Sequence, residues 1–272
     1  SAASDVYKRQ DEYLTERRYQ FPCIFPTLET ENRVIWLKVG AAWPMFALMV
    51  DCIPDVLPQG GSQCFPFYTY DEDDSNRREN ITDWALGQFR EHYQDDAITK
   101  WDIFHYVYAV LHHPIYRETY AANLKRELPR IPFVSAFWPF VEAGRKLADL
   151  HVRYEEQQKY SLKWIENNDA PLNYRVEKMR LSRDKTRLKY NDFLILDGIP
   201  PEAFDYRLGN RSALDWVIDR YRVTTDKRSG IVNNPNRLDD PQYIVRLIGK
   251  VITVSVETVR IVAGLPELGV EA

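Results

Sequence analysis

Apolar and polar positions change period along the chain, and the change divides it. Residues 33–39 and 46–50 read as extended runs, punctuated by Pro22, Pro26, Pro44, Pro54, Pro58 and Gly60-Gly61, so residues 11–75 are expected to be β-rich and loop-rich. The acidic run Asp71-Glu72-Asp73-Asp74, followed by Ser75, Asn76 and Arg77, is unpatterned and marks a surface loop or a subdomain boundary. From residue 80 the period becomes helical. Thr99 and Asp102 form a plausible capping pair ahead of a stripe of Ile103, Phe104, Val107, Tyr108 and Leu111. Pro114 fits the first turn of a second helix, whose stripe of Tyr116, Tyr120, Leu124 and Leu128 runs to Pro129.

Beyond Pro132, Ser135 is placed to cap a long central helix carrying Phe137, Phe140, Val141, Leu147 and His151 on one side. Residues 173–180 and 186–197 return to strand composition, with Asn191-Asp192 as a hairpin turn. Ser212 opens a helix to Tyr221, a loop holds Gly230 and Asn233-Asn234-Pro235, and a last helix starts at Asp240-Pro241 and ends near Gly264. The architecture predicted is α+β: a mainly helical core of five or six helices at residues 76–272, a β-rich N-terminal portion, and a small antiparallel sheet inserted near residues 173–206.

Composition supports a packed core, since 44% of the 272 residues are hydrophobic and 13% aromatic. A net charge of −4 excludes a polycation, so any nucleic-acid surface has to be local. Cys23, Cys52 and Cys64 contain no CxxC pair, which disfavours a disulfide framework or structural zinc and suits a reducing compartment, the cytoplasm. The apolar stretch 243–263 carries Arg246, Lys250, Glu257 and Arg260, too many charges for a bilayer span, so no membrane partner is expected. Residues 1–10, SAASDVYKRQ, read as a non-native leader, and the chain as a piece of something longer.

No catalytic motif emerges. Walker and GxGxxG loops are missing, and Pro200-Pro201 in GIPPEAF lacks the polar residue that amino-methyltransferase loops place before the prolines. His112 and His113 point about 100° apart on a helix and read as a helix-end pair favoured by the dipole. His151 reads as a hydrogen-bonded core residue. Cys64 has no neighbouring histidine to activate it. Asp226-Lys227 and Glu177-Lys178 match only fragments of a nuclease spacing.

Charge distribution is more informative. Between residues 175 and 189, seven cations (Arg175, Lys178, Arg180, Arg183, Lys185, Arg187, Lys189) face two carboxylates, Glu177 and Asp184, a net of +5 in a hairpin region that includes Asn191. This is either an ordinary solvated strand pair or a surface that neutralises phosphates. Lys125, Arg126 and Arg130 form a second cluster on a corner stiffened by Pro129 and Pro132. It fits a solvated helix end, a phosphate-contacting corner or part of a catalytic site.

Several strings, in order, resemble one family: GSQCFPFYTY, ENITDWALGQFREHY, ITKWDIFHYVYAVLHHPIYRETYAANLKRELPRIPF, FWPFVEAGRKLADLHVRYE, ALDWVIDRYRVTTDKRSGIVNNPN and PQYIVRLIGKVITVSVETVRIVAGLP. They resemble the C-terminal specificity, or target-recognition, domain of Type ISP restriction-modification enzymes over roughly residues 60–266. Those enzymes join nuclease, helicase-like ATPase, adenine DNA methyltransferase and recognition modules in one chain. The resemblance implies recognition of double-stranded DNA without carrying over base contacts, and the charge clusters supply the candidate DNA contacts: Lys125, Arg126, Arg130, Lys178, Arg180, Arg183, Lys185, Arg187, Lys189 and Asn191. It also implies methyltransferase and helicase partners upstream, for which residues 11–75 are a possible junction. S-adenosylmethionine, ATP and Mg would be confined to those modules, with no cofactor in this chain. The alternatives are a protein-interaction module coupling ATPase to methyltransferase, and an independent hydrolase. An exposed aromatic patch would favour the former, and a continuous basic face favours DNA.

Overall fold

The structure is a computed structural model and describes residues 23–27, 29–40, 44–54, 62–71 and 75–269. The predicted leader at 1–10 and the acidic residues 72–74 lie outside the described residues. Two compact units divide the chain: residues 1–148 with 266–272, and residues 149–265. The stretch 71–77, where the sequence suggests a boundary, falls inside the first unit.

In the first unit, β1 (Val34–Lys38) lies between β2 (Phe46–Val50) and β3 (Gln63–Pro66), both antiparallel to it. Val34, Ile35 and Leu37 are all buried, so both faces of β1 are covered. A two-residue ladder pairs β4 (Tyr68–Thr69) with β5 (Arg78–Glu79). The edge of β2 is closed from a helix, where the Met49 amide donates to Tyr108 Oη at 2.7 Å. That hydrogen bond satisfies a buried backbone donor without another strand.

Helices α1 (Asp83–Tyr93) and α2 (Lys100–His112) follow. The predicted capping pair forms in full: Thr99 Oγ1 accepts from the Asp102 amide, and Asp102 accepts from the Thr99 amide. Thr99→Ala is therefore expected to cost about 1 kcal/mol in urea unfolding of the chain. Helix α3 begins at Pro114 as predicted but ends at Thr119. Residues 120–126 continue as separate turns mixing i−3 and i−4 hydrogen bonds, such as Ala121 to Glu118 O and Leu124 to Tyr120 O. The apolar period survives there, with Leu124 buried, while the regular helix does not. Helix α4 (Phe137–Val152) starts two residues after the predicted cap at Ser135.

The second unit is built on a four-stranded antiparallel sheet of order β6-β9-β8-β7: β6 (Lys163–Glu166), β7 (Arg180–Leu181), β8 (Arg187–Lys189) and β9 (Leu194–Asp197). The expected sheet is present, but β6 precedes the predicted range, and residues 173–179 are not strand. Leu188, Leu194 and Leu196 supply the buried face, and they cluster with Leu214 of α5 (Ala213–Arg220) and Ile244, Ile248 and Ile252 of α6 (Tyr243–Ala263). Ser212 caps α5 as predicted, accepting from the Asp215 amide. Short two-residue pairings join β10 (Arg207–Leu208) to β11 (Arg211–Ser212), and β12 (Thr224–Thr225) to β13 (Val232–Asn233). The architecture is α+β, with six α-helices and several small antiparallel sheets among the described residues. None of the described helices is long and apolar enough to cross a membrane.

Candidate nucleic-acid interface

Strand register decides where the cations of residues 175–189 point. Arg180 lies opposite Lys189, and Lys189 opposite Ile195; Arg187 lies opposite Asp197, and Asp197 opposite Lys163. Directly paired residues share a face. Leu188 is buried between exposed Arg187 and Lys189, so the cations fall on the face turned away from the unit's core. Like charges set directly opposite each other, as Arg180 and Lys189 are, disfavour the strand pairing they decorate. An anion on that face relieves the repulsion.

Carboxylates neutralise only part of it. Asp197 accepts from Arg187 Nε at 2.9 Å, Glu177 from Arg175 Nε at 2.6 Å, and Asp192 from Lys189 Nζ at 2.7 Å. The Lys189 ammonium, helped by nearby Arg180, holds the Asp192 carboxyl below its usual range. Asp184 is committed locally, accepting from the Ser182 and Thr186 hydroxyls and the Thr186 amide, which lowers its own titration. This turn places Lys185 at φ +60°, with its Nζ 4.8 Å over the Phe204 ring, beside Arg183. Among the described residues Lys178 and Arg180 take part in no ion pair within 4 Å.

Some of these groups line a groove of about 480 Å³: Arg175, Lys178, Arg180 and Lys189, with Asn173, Asn191, Glu177 and Asp192 and the apolar Ala170, Pro171 and Phe193. Asn191 has a structural task there. Its Nδ2 donates to the carbonyls of Asn173 (2.8 Å) and Arg175 (3.0 Å), and its Oδ1 accepts from the amides of Phe193 and Leu194. All its side-chain donors are engaged, and they hold the loop bearing Arg175 against the hairpin turn.

The other predicted cluster belongs to the first unit. Lys125 and Arg126 are exposed in the turns after α3, and the Arg130 side chain is 91% exposed, 3.4 Å from Glu127. The extended segment behind them is pinned by tyrosines. Tyr116 Oη donates to Arg130 O, Tyr106 Oη to Pro132 O and Tyr93 Oη to Val134 O. Prolines lack the N–H donors that would serve carbonyls in a regular element, and buried or half-buried phenols serve them instead. Burial pushes the Tyr116 phenol up to about 12 and raises those of Tyr93 and Tyr106, so all three stay protonated donors.

The residues weighed for catalysis have structural partners. His112 and His113 stand at the C-terminal end of α2 as read, and both are buried. His112 Nδ1 lies 2.8 Å from Tyr108 O, and His113 Nε2 lies 3.1 Å from Pro266 O. A carbonyl only accepts, so those nitrogens carry the protons. His151 is a core residue, 2.9 Å from Thr258 Oγ1 and stacked on Tyr206. Burial pushes the Cys64 thiol up to about 11, away from nucleophilic use. Glu177 is held by Arg175, and Asp226 accepts from its own turn. Among the described residues the most exposed large aromatic side chain, Trp84 at 75%, belongs to the first unit.

Sequence reading missed Asp192 as the counter-charge of Lys189, which follows from an i, i+3 spacing across the turn. It also missed the β12–β13 hairpin. Its signal is TTDKRSGIV, in which β-branched pairs flank an Asp…Gly turn.

Fold and site together define a class: an α+β module presenting a cation-lined groove on the solvent face of a small sheet. The chain belongs to the family of the Type ISP C-terminal specificity domain, whose profile matches residues 6–247. Among solved structures it is similar to a chain of the DrdV–DNA complex seen by cryo-electron microscopy, at 43% identity and a TM-score of 0.84 over 93% of this chain and 26% of that one. It is also similar to the ATP-dependent Type ISP restriction-modification enzyme LlaBIII bound to DNA, at 32% identity and a TM-score of 0.84 over 94% of this chain and 17% of that one. A nuclease-deletion mutant of the Type ISP enzyme LlaGI, in complex with a DNA substrate mimic, matches at 34% identity and a TM-score of 0.78, over 94% of this chain and 23% of that one. The chain thus spans about a quarter or less of the length of these proteins. No curated protein matches it.

Proposed function

We propose that the chain recognises double-stranded DNA as the target-specificity module of a restriction-modification enzyme, and that its second unit meets the phosphate backbone through the outer face of β7 and β8. The observation that carries this reading is Arg180 set directly opposite Lys189 beside an ion-pair-free Lys178, in a groove open to an anion. Phosphates neutralised there release counterions, which supplies affinity without base sequence. Arg175, Arg187 and Lys189 remain secondary contacts, since each already has a carboxylate. Arg183 and Lys185, exposed in the β7–β8 turn, add positive charge to the same hairpin, and Asn191 shapes the groove. Lys125, Arg126 and Arg130 add a phosphate-contacting corner on the first unit, with prolines and tyrosines lowering the ordering cost.

On this reading methyl transfer, ATP hydrolysis and cleavage are the work of other segments of a longer chain in the cytoplasm. S-adenosylmethionine, ATP and Mg belong to those segments. Among the described residues no group of three His, Cys, Asp or Glu side chains is arranged to hold a metal ion. Retention of a short fluorescent duplex by the 272-residue chain at low salt, followed by anisotropy, is the test. Release as salt rises is expected, and failure to retain any duplex contradicts the proposal.

A further inference from the structure

The hairpin β12–β13 is an unusual object to find on a folded module. Every residue from Thr224 to Asn234 is exposed, including Ile231 at 69% and Val232 at 57%. Neither face of the ribbon is covered, and a two-stranded hairpin of this kind is marginal in water without support. Its shape is nevertheless fixed at both ends.

At the tip, Asp226 Oδ1 accepts from the Ser229 amide, the Ser229 hydroxyl and the Arg228 amide, which also lowers the titration of the Asp226 carboxyl. The Gly230 amide donates to Asp226 O, and Gly230 takes φ +71°, a conformation that a side chain would strain. Asp226 Oδ1 is committed to the turn, and the carboxylate forms no ion pair with Lys227 or Arg228. Among the described residues, neither of these takes part in an ion pair. At the base, the Val223 amide donates to Glu177 O at 3.0 Å. The Asn236 side chain then mimics a strand, donating to Val176 O at 2.8 Å and accepting from the Val176 amide at 2.7 Å. Val176 and Glu177 sit between Arg175 and Lys178, so the ribbon is stitched directly to the wall of the cationic groove.

We infer that this ribbon enters the major groove of duplex DNA and that Arg228, with Lys227, reads base edges there, an inference that rests on the DNA reading above. A two-stranded ribbon matches the width of that groove, Arg and Lys pair with the acceptor edge of guanine, and exposed Ile and Val suit the thymine methyl group. A pre-shaped tip carries little ordering cost on binding. The neighbouring Lys178 and Arg180 fix the module on the phosphates, and the ribbon supplies sequence.

Selection of preferred sites from a pool of short duplexes with a randomised centre tests this with the 272-residue chain. The parent enriches a base pattern. K227A/R228A, with unchanged circular dichroism, is expected to retain duplex while discrimination at one or two adjacent positions falls by about tenfold or more. D226A, which keeps both cations and loosens the tip, is expected to lose part of the same discrimination. An enriched pattern unchanged in K227A/R228A overturns the inference and leaves the DNA reading standing. So does an equal loss of affinity for all sequences with a shallower salt dependence, which marks a phosphate contact. A parent chain that retains no duplex overturns the DNA reading, and the inference with it.

Discussion

Lys178→Glu combined with Arg180→Glu is expected to weaken duplex binding by more than about 100-fold at ~0.1 M salt. Each neutralised phosphate contributes roughly the 0.9 power of salt concentration, or about eightfold at that ionic strength, so removing two contacts costs about 60-fold. Two carboxylates aimed at the backbone add repulsion to that loss. Stability should not follow affinity. Both side chains are exposed, and Arg180→Glu would turn the like-charged cross-strand pair with Lys189 into an opposite-charged one. Anisotropy titration with a labelled duplex, paired with urea unfolding of the same variant, separates the two effects. An affinity within about threefold of the parent would remove the groove from the account.

The largest expected loss of stability comes from a single methyl group. Gly144 on α4 faces the backbone of α2, where a Cβ would stand 1.8 Å from the His105 carbonyl oxygen and 2.6 Å from its carbon. Both atoms belong to a helix backbone and cannot swing aside. Gly144→Ala must therefore push the helices apart, taking Phe140, Val141 and Leu147, all buried on α4, out of contact with their neighbours. Overpacking of this kind typically costs about 1–3 kcal/mol, and with backbone as the obstacle about 3 kcal/mol or more is expected. Helix propensity alone predicts the opposite sign, since alanine is the better helix former by about 1 kcal/mol. Urea unfolding followed by circular dichroism decides between them: a midpoint equal to or above the parent's would show that the two helices do not meet at Gly144.

Local chemistry was legible in the chain. The Thr99–Asp102 box, Pro114 at a helix start and Ser212 as a cap each depend on residues within four positions, and each formed as read. Composition also located the basic stretch. Which of its cations stay available was not legible, because neutralisation follows from strand register: Arg187 meets Asp197 only once β8 is aligned with β9. The loop-holding task of Asn191 was not legible either, because its partners, the carbonyls of Asn173 and Arg175, are 16 to 18 residues away. The partner of the histidine pair lies equally far along the chain, since His113 finds its acceptor at Pro266. Helix α3 was overextended because the apolar period continues through Leu124 after the regular hydrogen bonding has given way to separate turns. Pattern reports which side is buried, and it does so even where the backbone is no longer a helix.

The central claim is that Lys178 and Arg180 neutralise phosphates. Its most direct test is the slope of log Kobs against log salt concentration for duplex binding, compared between the chain and K178A/R180A. The account predicts a slope shallower by about 1.8 in the variant, two phosphates' worth. Parallel lines, with the two cations contributing nothing to counterion release, would contradict it.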